Sequence, residues 1–155
     1  MSITDILNET GIAINLKSKN KHDVLNELVD MLHQTYDLGN IEDIRKAIFE
    51  REKLSSTGIC NGLAIPHAKV SGIKKMVGGI GLSKEGIDFQ SMDGVLSSIF
   101  FILISPKEDH GSHVKALARI TKILKDEEVR VSILSFQNNK EVLEYMKDID
   151  EKLGT

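Results

Sequence analysis

A single cysteine, Cys60, stands in a chain of 155 residues, so no internal disulfide can staple the fold. The N-terminus also lacks the charged-then-apolar pattern of a leader peptide, and together these point to a reducing, cytoplasmic setting. No block of Lys and Arg occurs, and 20 basic residues against 23 acidic ones leave a formal charge of −3. That balance argues against a nucleic-acid or membrane-surface footprint. Long apolar runs are missing too. The longest, Ile99 to Ile104, falls far short of the roughly 20 residues that span a bilayer and suits a strand buried on both faces. No Gly-Lys-Ser/Thr follows a glycine loop, and neither CxxC nor HExxH is present, so P-loop nucleotide binding and the common zinc motifs lack support. No repeat, linker or low-complexity segment interrupts the sequence, and its length suits one domain over residues 1–155.

What is present is a globular balance of 41% hydrophobic and 28% charged residues. A helical turn is expected around Ile3 to Leu7, then a strand on the alternating Ile12, Ile14 and Leu16. Val24, Leu25, Leu28, Val29 and Leu32 recur at helical spacing and place a helix over residues 21–36. Asn40 and Asp43 form a capping signal for a second helix that ends near Leu54. Strands are expected at Leu63 to Ile65, Met76 to Leu82 and Ser98 to Ser105, with a short extended piece at Ile87 to Phe89. Three helical stripes follow, Val114 to Leu124, Val129 to Phe136 and Val142 to Met146. Strands interleaved with helices around a doubly apolar strand predict an α/β fold: a three-layer α/β/α sandwich with a central mixed sheet flanked by helices.

Of the two prolines, Pro66 directly precedes a histidine in Asn61-Gly-Leu-Ala-Ile-Pro-His-Ala68. Proline has no N–H to continue a ladder, so the strand is expected to stop there and present His67 on the sheet's rim. Imidazole can be a neutral nucleophile near pH 7, which makes a rigidly held rim histidine a candidate for chemistry; a solvated loop histidine is the alternative. His113 is expected to open the helix carrying Val114, Leu117, Ile120 and Leu124, on its sheet-facing edge, where a neutral ring could donate to an anion or satisfy backbone as a cap. His110, three residues earlier, competes for that role. The segment Ser55-Ser-Thr-Gly-Ile-Cys-Asn-Gly62 supplies hydroxyls and glycine-freed N–H groups, and Arg51 supplies a cation at the preceding helix end. Those are parts of an anion site, or of an ordinary turn in which Arg51 serves its own helix terminus. A zinc site from Asp109, His110, His113, Cys60 and His67 is chemically conceivable but has no recognised spacing. Cys60 reads as a reactive thiol or a small half-buried hydrophobe. His22 and His33 fall on the solvated side of the first long helix.

The stretch Arg51-Glu-Lys-Leu-Ser-Ser-Thr-Gly-Ile-Cys-Asn-Gly-Leu-Ala-Ile-Pro-His-Ala-Lys69 resembles the signature of the type 2 enzyme IIA domains of the bacterial phosphoenolpyruvate-dependent sugar phosphotransferase system. Gly86-Ile-Asp-Phe89, Asp93-Gly94, the strand before Pro106 and His113-Val-Lys-Ala-Leu-Ala118 continue that resemblance in order and spacing. It embraces the fructose, mannitol and nitrogen-regulatory branches. The resemblance implies that His67 accepts a phosphoryl group from the phosphocarrier protein HPr and passes it to a sugar-specific IIB component. His113 and Arg51 would be its catalytic neighbours, and Ser56, Thr57 and Gly58 the phosphate contacts, with neither metal nor cofactor. A nitrogen-type role, in which phosphorylation controls binding to a regulatory protein target, is the alternative within the same resemblance.

Overall fold

The structure, a computed structural model, describes residues 2–154. Its strands are β1 (Ile12–Ala13), β2 (Gly58–Cys60), β3 (Leu63–Ala64), β4 (His67–Val70), β5 (Val77–Ile87) and β6 (Ser97–Pro106). Its helices are α1 (Lys21–Thr35), α2 (Ile41–Leu54), α3 (His110–Leu124), α4 (Glu127–Ser135) and α5 (Asn139–Leu153). The sheet has the order β1-β5-β6-β3-β2, with β4 also paired to β6. β5 and β6 are antiparallel, while β1 on β5 and both β3 and β4 on β6 are parallel, so the sheet is mixed as expected.

The period of two in β6 decides the layering. Phe100, Ile102 and Ile104 enter a core with Leu25, Leu28 and Leu32 of α1 and Ile44 and Ile48 of α2. Ile99, Phe101 and Leu103 point the opposite way, into a core with Ile120 of α3, Ile133 of α4 and Met146 of α5. A strand buried on both faces needs apolar residues at every position, which is why this run reads as continuous rather than alternating. α1 packs close to the sheet because β5 carries glycine: a Cβ at Gly79 would lie 2.8 Å from the Gly11 carbonyl oxygen and 2.9 Å from Met31 Cε.

Several boundaries differ from expectation. The chain does not leave the sheet at Pro66. The Pro66 carbonyl accepts from the Leu103 N–H at 3.0 Å, and pairing continues with His67 opposite Leu103. β4 is paired only to β6, so the donor that proline lacks is tolerated at this edge. His67 is therefore the first residue of a strand rather than a residue beyond one.

The two extended pieces foreseen between Met76 and Phe89 are one long strand, β5, with a register shift between Leu82 and Ile87 that absorbs the polar interval. The first strand covers only Ile12 and Ala13, although the Leu16 N–H still donates to the Leu82 carbonyl. The turn-rich segment before His67 contains a hairpin: Asn61 and Gly62, both at positive φ, join Cys60 to its partner Leu63. An Asn-Gly pair accommodates that backbone readily. α3 starts at His110, because the Asp109 carboxylate caps it by accepting from the Ser112 N–H, which moves His113 one turn inside. His33 is half-buried rather than solvated, with Nδ1 enclosed and lacking a hydrogen-bond partner.

Candidate functional site

β4 lies between α2 and the N-terminal turns of α3, and the groove over it is lined by Ala47, Arg51, Leu54, His67, Lys69 and His113. Residues 67 and 69 alternate with Ala68 and Val70, which are buried in the α1/α2 core, so the two polar side chains share the opposite face. His67 is half-buried there, and its ring centroid is 5.5 Å from that of His113.

The tautomer of His67 follows from its partner. Nδ1 is 2.7 Å from the Ile65 carbonyl oxygen. A carbonyl only accepts, so Nδ1 carries the proton and Nε2 holds the lone pair. Proline locks its own φ and confines the preceding residue to extended backbone, which fixes the Ile65 carbonyl relative to the ring. Burial pushes the His67 pKa below the ordinary imidazole value; the Ile65 hydrogen bond opposes this, and the Arg51 charge adds to the lowering.

His113 is 5% exposed, and its Nδ1 lies 2.6 Å from the hydroxyl of buried Ser105 on β6. Burial, then the neighbouring His67 and Lys69, push its pKa down to about 4. It is a neutral ring at pH 7. The Ser105 hydroxyl can donate to Nδ1 or accept from it, and in the first arrangement His113 carries its proton on Nε2 as a free donor.

Arg51 donates through Nη1 to the Ser55 carbonyl at 2.9 Å, covering the C-terminus of its own helix while lining the groove. A guanidinium has five N–H donors, and this bond uses one of them. Both readings of Arg51 thus coexist.

Ser56, Thr57 and Gly58 are not brought to the groove. The Thr57 N–H and hydroxyl donate to the Glu52 carboxylate at 2.7 and 2.5 Å. The Ser56 hydroxyl donates to the Phe89 carbonyl and accepts from the Gly58 N–H. The Thr57 and Ser56 donors hold the loop against α2 and the segment after β5, while the Gly58 N–H stays within the loop, so in this geometry none of the three lines the groove. Nor do Cys60, His110 and His113 converge: Cys60 is on β2, His110 meets Lys69, and His113 meets Ser105. Among the described residues no group of three or more His, Cys, Asp or Glu is placed to hold a metal ion.

Sequence reasoning missed Ser105, Glu52 and Lys69. A serine closing an otherwise apolar buried strand was the available sign for Ser105. Glu52 continues the i, i+4 series of Ile44 and Ile48, so helical spacing already put a carboxylate on the buried face of α2.

The family model for the phosphoenolpyruvate-dependent sugar phosphotransferase system, EIIA 2, matches residues 5–149. Over 151 residues the chain is 33% identical to the fructose-specific EIIABC component of Bacillus subtilis, covering 97% of this chain and 24% of that protein. It is 34% identical over 129 residues to a nitrogen regulatory protein of Bradyrhizobium diazoefficiens, covering 83% of this chain and 84% of that one. The crystal structure of the nitrogen regulatory protein IIA-Ntr from Neisseria meningitidis superposes with a TM-score of 0.86 at 28% identity, covering 93% of this chain and 98% of that one. The chain spans about a quarter of its fructose-specific relative and most of its nitrogen regulatory ones. With a groove that sets a neutral Nε2 beside a neutral buried imidazole and a guanidinium, the chain belongs to the EIIA 2 family of the phosphoenolpyruvate-dependent sugar phosphotransferase system.

Proposed function

We propose that this protein carries a phosphoryl group on Nε2 of His67, taking it from phospho-HPr and passing it to a IIB component. The observation that carries the reading is the Nδ1–H bond to the Ile65 carbonyl, which leaves Nε2 as the lone-pair nitrogen in an open groove.

The lone pair of Nε2 attacks phosphorus as the donor's P–N bond breaks, and the electron pair of that bond stays on the donor ring nitrogen. His67 becomes a ring bonded to phosphorus at Nε2 and to hydrogen at Nδ1, hence positively charged, and the Ile65 carbonyl stabilises that charge by accepting its hydrogen bond. Discharge reverses the sequence. Because Nδ1 keeps its proton, the nitrogen that leaves phosphorus departs as neutral imidazole rather than as an anion.

The transition state is loose, with charge spread over three equatorial oxygens, so positioned donors and cations do the remaining work. His113 Nε2–H supplies a donor without charge, and Arg51 supplies a cation in reach of the same groove. Leu54 and Val114, 82% and 62% exposed, put apolar side chains near the groove and beside His113, where a carrier protein has to dock.

The likeness to an EIIABC component favours discharge to a IIB unit, and the coverage of a nitrogen regulatory protein favours control of a regulatory target by the same phosphorylation. One experiment addresses both. With phosphoenolpyruvate, enzyme I and HPr, the protein should acquire an acid-labile, base-stable phosphoryl group that His67→Ala does not acquire. A chase with IIB component should remove it. Equal labelling of His67→Ala overturns the assignment, whereas label retained through the chase transfers the role to the regulatory branch.

A further inference from the structure

Lys69 is one pleat beyond His67 on the same face of β4 and lines the same groove. Its Nζ is 3.0 Å from Nδ1 of His110, the first residue of α3. An ammonium has three donors and no acceptor, so His110 receives this bond through an unprotonated Nδ1. The lysine charge is also felt at His113, where it contributes to the lowered pKa.

His113 is neutral, and Arg51 spends one of its five N–H donors on the Ser55 carbonyl, leaving the others to the groove. A dianionic phosphoryl group on His67 would therefore meet Arg51 and a second cation, Lys69, whose ammonium rests on the exposed His110. Exchange of that weak hydrogen bond for a charge-assisted one with phosphoryl oxygen is favourable, and the flexible lysine stem supplies the reach.

We propose that Lys69 is a second counter-cation of phosphorylated His67 beside Arg51, parked on His110 in the unphosphorylated protein and moving to the phosphoryl oxygens once they arrive. This rests on the phosphocarrier reading. His110 is then a resting acceptor rather than a second phosphate ligand.

The test uses the equilibrium constant for phosphoryl exchange with HPr, read by phosphorus NMR at concentrations too low to populate the complex. That constant reports the relative stability of the two phosphoproteins and is insensitive to how well they dock. Lys69→Met should lower it roughly fivefold, the size of a partly solvated charge contact, and should raise the pH at which the phosphoryl group of His67 titrates. Lys69→Arg should stay within about twofold of the unaltered protein, since it keeps the charge. His110→Ala, which frees the lysine, should leave the constant unchanged or raised. An unaltered constant and phosphoryl titration in Lys69→Met overturn the proposal even if the exchange rate falls, because a rate effect alone is docking. A drop in His110→Ala overturns the parking role. Failure of His67 in the unaltered protein to take any phosphoryl group instead overturns the functional reading itself.

Discussion

At the scale of the residue, the site depends on two imidazoles kept neutral by burial and held by different partners. Burial lowers both pKa values, but His67 is fixed as a tautomer by a backbone carbonyl, whereas His113 is paired to a serine hydroxyl. For His113 this has a consequence for stability. Its folded pKa, about 4, is below the unfolded value of about 6.5, so the unfolded chain binds more protons between those limits. The folded state loses stability as pH falls from about 6.5 toward 4 and keeps it in full above 6.5. Urea unfolding at pH 7.5 and 4.5 should show His113→Asn losing about 2 kcal/mol less than the unaltered protein over that interval. Parallel losses in the two proteins would show that His113 titrates normally.

At the scale of the element, the loop before His67 is held by a buried carboxylate. Glu52 accepts both donors of Thr57 and pairs with the Lys21 ammonium at 2.9 Å, which itself sits 4.6 Å from the centroid of the Phe89 ring. Removing the carboxylate alone leaves a mostly buried ammonium with the Phe89 ring and a 3.4 Å contact to Gln90 Oε1 but no counter-charge. Glu52→Ala should cost about 3 kcal/mol in chemical denaturation, and adding Lys21→Met should recover part of that loss. If the single variant is as stable as the unaltered protein, the network does not hold the loop.

The same elements show what the sequence could and could not reveal. Helix α1 was legible to the residue at its start, because a period of 3.6 and an Asn cap coincide. The continuation of β4 after Pro66 was not, because proline's missing donor says nothing about its carbonyl, and that carbonyl keeps the ladder whole. The start of α3 was placed at His113 because the apolar stripe begins at Val114, while the cap that sets the start is the polar Asp109. His67, His113 and Arg51 could be gathered because the family resemblance groups them, and the three do line one groove. The resemblance adds Ser56, Thr57 and Gly58 as phosphate contacts, and in this structure Glu52 and Phe89 take the Thr57 and Ser56 donors while Ser56 takes the Gly58 N–H.

At the scale of the whole molecule, the sheet is what turns separate segments into one site. β4 pairs in parallel with β6, which sets Leu103 opposite His67 and Ser105 opposite Lys69, and the chain leaving β6 returns as α3 with His113 over Ser105. α2 closes the other side with Arg51. The groove thus lies along the β4 edge of the sheet, and the Nδ1 proton that leaves Nε2 its lone pair, more than the identity of any neighbour, underlies the proposed function. The most direct measurement is the position of phosphorus on the ring, obtained by proton-phosphorus correlation NMR of the protein phosphorylated by phospho-HPr. The expected result is a single phosphohistidine at His67, bonded through Nε2, with the Nδ1 proton retained. Phosphorus on Nδ1 of His67, or on any other residue, would contradict it.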